Sequence, residues 1–285
     1  MGSFLEKANL RMKLLSGLLF VFSIFCLTPA GATDNAAQGV KPRVLRFVTY
    51  AAERPTEELR KMEPFQRHLE SVLNAKGFNV SIDLRIFSTY SEAQEAINSG
   101  NFDFARIGPA SYVLARDKKA PVRLLVVESH GGDGFFEGVI FVRADSGINT
   151  LADLKGRRIA IAGKHFLGTY MAPAVELQRA GVDISTLTWV ETTQPVDQVI
   201  TSVLAGKADA GFVRTGVLED LVTEGKLNPT ELTIINPLQH PGYAFISSTR
   251  LYPEWPFLTV AHVDREVSRR LSAALFSLQP AHPAA

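Results

Sequence analysis

Short apolar runs recur along this chain, each closed by a glycine- or proline-marked turn and followed by a helical stretch, and that rhythm admits few folds. Residues 44–49, 80–86, 102–107, 124–128, 138–143, 158–162, 187–191, 208–213 and 232–235 read as strands. Between them lie helical stretches: one from Thr56 toward Gly77, one over 92–99 closed by Gly100, and one opening at 108–112. Further on, the loop 163–168 leads into a helix that ends near Gly181. Pro195 sits at a tolerated first-turn position of a helix ending at Gly206, another helix runs from Thr215 to near Gly225, and a last one covers 264–278. Strands alternating with helices predict an α/β architecture with largely parallel sheets. The pattern restarts at Asp145, which argues for two lobes, each with a central sheet and a hinge between them. The expected division is 33–140 plus 243–285 for lobe 1 and 141–242 for lobe 2, with hinges at 140–145 and 236–243. After 243 only the run 245–248 and one helix remain, which leaves little to complete lobe 1.

The first 32 residues read as a targeting segment. Lys7, Arg11 and Lys13 precede an apolar or small run at 14–27, and Pro29-Ala30-Gly31-Ala32 supplies the small residues that suit a signal peptidase. The run is short of the roughly 20 apolar residues that a spanning helix needs, so export with cleavage after Ala32 is the expectation over a retained anchor. Cys26, the one cysteine, falls in this segment, and the mature chain is expected to carry no disulfide. Residues 33–42 are a small, polar leader.

Thirty basic side chains against twenty-nine acidic ones, a formal net charge of +1, leave no concentrated basic surface of the kind nucleic-acid binders carry. In open α/β sheets, ligands collect where strands end and helix N-termini present free N–H groups. Four such corners stand out: 50–54, 108–112, 163–169 and 214–216, two from each expected lobe. Tyr50, Ser111 and Tyr112 from lobe 1 and His165, Thr169 and Arg214 from lobe 2 are the candidate ligand-binding residues. Arg214 ends an apolar strand just before Thr215-Gly216; it either grips an oxyanion there or pairs with Glu219 or Asp220. Ser111 donates to a ligand or caps its helix, and Tyr112 donates or packs. Lys164 and His165 add positive charge to the loop or are merely solvated.

Catalytic patterns are missing from the sequence. It has no Gly-x-Ser-x-Gly elbow and no phosphate loop ending in Gly-Lys-Ser/Thr. Its six histidines lack metal-ligand helical spacing, and adjacent carboxylates such as Glu57 and Glu58 face different directions on a helix. A binding protein with no catalytic residues, metal or cofactor is therefore expected.

Three stretches resemble the phosphate/phosphite/phosphonate-binding family of type 2 periplasmic binding proteins: 102–112 with Arg106-Ile107-Gly108-Pro109-Ala110-Ser111-Tyr112, 144–156 with Leu151-Ala152-Asp153-Leu154-Lys155-Gly156, and 206–211. Residues 211–219 and 248–257 resemble the periplasmic sensing domains of tetrathionate-sensor-like histidine kinases. The resemblance implies a two-lobe periplasmic protein, a monomer, that closes on a small anion of the phosphonate, phosphite or sulfur-oxyanion class. Its partners would be membrane importer subunits or a sensor-kinase ectodomain. Two departures stand out. The lobe 2 loop reads His165-Phe166-Leu167-Gly168-Thr169-Tyr170 where the transporter branch carries a serine-rich oxyanion cradle, and no Gly-Ser-His-Asp-like element appears at 194–197. The lost hydroxyls keep open an interaction module without a ligand; an enzyme on the same fold has no motif in its favour. N-terminal sequencing of the exported protein is expected to begin at Thr33; a retained Met1 would refute cleavage.

Overall fold

The computed structural model describes residues 41–51, 55–129, 134–192 and 196–278. The targeting segment, its cleavage site and the expected helix start at 193–195 lie outside the described residues. In the first half, β1 (Arg43–Tyr50), α1 (Pro55–Asn74), β2 (Val80–Phe87), α2 (Tyr90–Ser99), β3 (Phe104–Arg106), α3 (Pro109–Asp117) and β4 (Val122–Val127) alternate as the sequence predicts. Burial on α1 falls on Phe65, Leu69 and Leu73, one face at i, i+4, i+8 spacing, and these side chains meet the stacked rings of Phe47 and Phe104, whose centroids are 4.5 Å apart.

The second half carries β5 (Phe135–Phe136), β6 (Gly138–Arg143), β7 (Arg158–Ile161), α4 (Ala172–Arg179), β8 (Thr188–Glu191), α5 (Asp197–Leu204), β9 (Ala210–Arg214), α6 (Val217–Thr223) and β10 (Leu232–Ile234). The chain then adds β11 (Tyr252–Pro253), β12 (Pro256–Val260) and α7 (Arg265–Phe276). Two five-stranded sheets result, ordered β2-β1-β3-β12-β4 and β10-β6-β9-β7-β8. Each is parallel except where a strand arrives from the other half: β12 runs antiparallel to β3 and β4, and β6 runs antiparallel to β9 and β10.

These late arrivals change the expected division. β6 opens at Gly138 and belongs wholly to the second sheet. The expected hinge at 140–145 therefore falls within and just beyond that strand. β12, unread in the sequence because it is only five residues long and opens on a proline three residues after Pro253, is buried throughout and completes the first sheet from its interior. Phe135–Phe136 and Tyr252–Pro253, paired antiparallel, are the two passages of chain between the sheets. Beside them Ser247, Ser248 and Thr249 are fully buried and lace onto β6: Gly138 N donates to Thr249 Oγ1 at 2.8 Å, Ile140 N to Ser248 Oγ at 2.9 Å, and Ser248 Oγ to Ile235 O at 2.7 Å.

In the first lobe Asp103 fastens β1 to the turn before α7. Its carboxylate accepts from Arg46 N at 2.7 Å and lies 3.0 Å from His262 Nε2. Burial pushes this carboxyl up, but the Arg46 backbone N–H, His262 and the Arg46 guanidinium together outweigh it and hold the group below its ordinary value. No helix among the described residues is long and apolar enough to cross a membrane. In the second lobe, Gly211 of β9 lies where a Cβ would sit 2.8 Å from Phe141 Cε1 and 3.0 Å from Val199 Cγ1. Gly211→Ala is expected to destabilise the protein by about 1–3 kcal/mol through overpacking, read as a lower urea midpoint; an unchanged midpoint would show that this packing is loose.

Candidate functional site

Strand ends from both lobes converge on one cavity of about 120 Å³. Lobe 1 contributes Tyr50 at the end of β1, Tyr90 at the start of α2 after β2, and Ile107 to Ser111 between β3 and α3. Lobe 2 contributes His165 to Thr169 after β7 and Arg214 at the end of β9, while Phe136 and Trp255 come from the connecting ribbon. Five of the six residues singled out in the sequence, Tyr50, Ser111, His165, Thr169 and Arg214, line this cavity. Tyr112 does not: it packs against the lobe 1 core, because it sits a third of a helical turn away from Ser111.

Aromatic rings meet across the cleft. The Tyr90 and His165 ring centroids are 4.4 Å apart, those of Tyr50 and Phe166 6.5 Å, and His165 also lies 4.0 Å from Phe166. Leu167–Met171 forms a π-helical turn that runs directly into α4, so the loop delivers Thr169 into the cavity from the N-terminal end of a longer helical segment. Gly168 makes this approach possible, since a Cβ there would lie 2.8 Å from the Phe136 ring and 3.2 Å from Arg214 Cβ. Three buried polar atoms in the lining, Tyr90 Oη, His165 Nε2 and Thr169 Oγ1, have no hydrogen-bond partner among the described residues.

The charges arrange themselves differently from the sequence expectation. Arg214 pairs with neither Glu219 nor Asp220. Glu219 instead accepts from Gly216 N and caps α6, and Arg214 Nη2 donates to Glu254 Oε1 at 2.5 Å while its guanidinium lies 5.1 Å from the Phe136 centroid. Glu254 is only 1% exposed, and its second oxygen is also without a hydrogen bond among the described residues. Arg106, 4.5 Å over the Trp255 ring, donates through Nε and Nη2 to the two oxygens of Glu128 at 2.6 and 2.8 Å. Its Nη1 is 3.6 Å from Glu58 Oε1. Burial would lower the Arg106 guanidinium, but the carboxylates of Glu128, Glu58 and Glu254 overcome this and raise it. Burial holds the His165 imidazole below the ordinary histidine value against the opposing pull of Glu191, which also stands 3.9 Å from Lys164. No cluster able to hold a metal ion occurs among the described residues.

Tyr90, Phe136, Trp255 and Glu254 were not among the sequence candidates. Thr89 followed by Glu92 is a capping signal that marks a fifth corner after β2 and would have found Tyr90: Glu92 N donates to Thr89 Oγ1 at 3.3 Å and Thr89 Oγ1 to Glu92 Oε2 at 2.8 Å. The ribbon residues carry no such signal, because only the pairing of distant segments brings them to the cleft.

The model of the family described as "ABC transporter, phosphonate, periplasmic substrate-binding protein" matches residues 47–284. The tetrathionate sensor histidine kinase TtrS of Salmonella typhimurium is 27% identical over 222 residues, covering 75% of this chain and 36% of the kinase. The phosphate-import protein PhnD of Mycolicibacterium smegmatis is 25% identical over 233 residues, 78% of this chain and 71% of that protein. This chain therefore spans about a third of the kinase and most of the import protein. Among solved structures, PhnD1 of Prochlorococcus marinus in complex with methylphosphonate superposes with a TM-score of 0.63 at 20% identity, covering 82% of this chain and 84% of that one, which is a likeness of fold. Two lobes, each built on a five-stranded mixed sheet, are the type 2 periplasmic binding protein fold, and the chain belongs to the periplasmic substrate-binding proteins of phosphonate ABC transporters, a family of solute binders rather than enzymes.

Proposed function

We propose that this protein captures one small molecule in the cavity between its lobes and passes it to the membrane components of an ABC importer. The observation that carries this reading is the lining itself: two lobes contribute rings that meet over a cavity in which Tyr90, His165 and Thr169 keep hydrogen-bonding atoms without a partner among the described residues. Buried polar atoms are ordinarily satisfied, so three orphans converging on a space of small-molecule size argue for a ligand that completes them. On this reading the protein works in the periplasm, and no bond is made or broken in the cleft.

Closure would turn on the ribbon of Phe135–Phe136 and Tyr252–Pro253, since among the described residues no other paired strands lie on the passages between the sheets. A ligand shifts such an equilibrium only by binding the closed state more tightly than the open one. Rings and donors split between lobes meet that requirement, because an open cleft offers only half of them. A second reading is favoured by the kinase relative: the same closure, presented to a membrane histidine kinase, would report the ligand instead of delivering it.

Two outcomes test the cleft. In a thermal-shift panel of phosphate, methylphosphonate, thiosulfate, tetrathionate and small methylated zwitterions, at least one compound is expected to raise the melting temperature by mass action. Thr169→Val removes the unpartnered hydroxyl at nearly constant shape. It is expected to stabilise the empty protein by up to about 1 kcal/mol while reducing the shift given by that compound. A Thr169→Val protein that keeps the full shift would move the ligand elsewhere.

A further inference from the structure

We infer that the cleft takes a small molecule with no net charge but a strong internal dipole, an oxygen acceptor at one end and N- or S-methyl groups at the other, in preference to an oxyanion. The inference rests on the reading that the cavity binds a ligand, and it names the ligand's charge class.

Charge balance is the first ground. Among the described residues, Arg214 is the one guanidinium in the lining, no lysine joins it, and its charge is met at 2.5 Å by the buried Glu254. Behind that pair Arg106 is met by Glu128 and Glu58, so three carboxylates face two guanidiniums around the floor of the site. His165 is held toward its neutral form by burial. A ligand with net negative charge would enter a poorly solvated space in which both of these guanidiniums are already compensated.

The remaining surface has two characters. Tyr50, Tyr90 and Phe166 line the walls with Phe136 and Trp255, whose rings already lie under Arg214 and Arg106, and a weakly hydrated methylated onium group is the partner that aromatic rings attract. One oxygen of Glu254 keeps its capacity to accept, being without a hydrogen bond among the described residues. Opposed to this are the N-terminal end of α3, which enters the lining at Gly108 to Ser111, and the hydroxyl of Thr169, 92% buried by its 8% exposure and without a partner. A helix N-terminus favours partial negative charge and a free hydroxyl donates to it, so these suit one polarised oxygen. A cavity of about 120 Å³ holds a molecule the size of trimethylamine N-oxide or glycine betaine.

Isothermal titration of the purified protein with glycine betaine, trimethylamine N-oxide, methylphosphonate and thiosulfate tests the assignment. One of the two dipolar compounds is expected to bind about tenfold or more tightly than either anion, on the usual scale of a buried charge left unmatched. Glu254→Gln removes the carboxylate that masks Arg214 and is expected to raise methylphosphonate affinity about tenfold, as a guanidinium set free for a charge-assisted contact would. Either anion binding the unsubstituted protein as tightly as the dipolar compounds overturns the inference and leaves the cleft reading standing. No binding by any of the four overturns both. If Glu254→Gln fails to fold, the comparison in the unsubstituted protein decides alone; if it folds without gaining affinity for methylphosphonate, the masking of Arg214 is wrong.

Discussion

The chain passes between its two sheets twice, and each passage must bury backbone groups without leaving them unpaired. The solution is a two-stranded ribbon, Phe135–Phe136 against Tyr252–Pro253, flanked by Ser247, Ser248 and Thr249, whose hydroxyls supply partners that sheet pairing alone does not. Much of the cleft follows from this arrangement. Because the passages lie at the base of the cleft, their side chains become its floor: Phe136 under Arg214, Trp255 under Arg106, and Glu254 between the two arginines. Thr215, which follows Arg214, is tied to the same region by Glu137 N at 3.2 Å and by Tyr243 Oη at 2.8 Å.

Glu254 decides the electrostatics of the site. A carboxylate that is almost wholly buried costs a great deal of solvation unless a cation meets it, and Arg214 does so across the join between ribbon and second lobe. The pair thereby serves structure and withdraws from the cavity the charge that an arginine at a strand end would otherwise offer. The lobe 2 loop acts in the same direction: aromatic and aliphatic side chains stand at 165–167, and the hydroxyl that remains, on Thr169, is neutral.

How much of this is legible in the sequence depends on whether a feature is local. The alternation of apolar runs and helices is local, and so are the strand-end corners, so the architecture could be read directly and five of the six candidate residues fall in the lining. Tyr112 failed on a rotation of one residue around α3. β12 is illegible because burial on both faces erases the alternating pattern that announces a strand, and the prolines at 253 and 256 read as loop. Arg214 lines the cavity but pairs elsewhere than its sequence neighbours suggest: those carboxylates are engaged in capping or lie on α6, while Glu254 reaches it from 40 residues away. Long-range pairing of that kind is fixed by topology and leaves no trace in spacing.

The internal cancellation of Arg214 by Glu254 also bears on how a ligand arrives. Clefts lined by one sign of charge project a field into solvent that raises the encounter rate of oppositely charged molecules and fades as ions are added. A cleft whose guanidinium is neutralised from within projects little field, so capture depends on fit after collision and hardly at all on long-range attraction. Encounter with such a cleft changes little between dilute and saline surroundings.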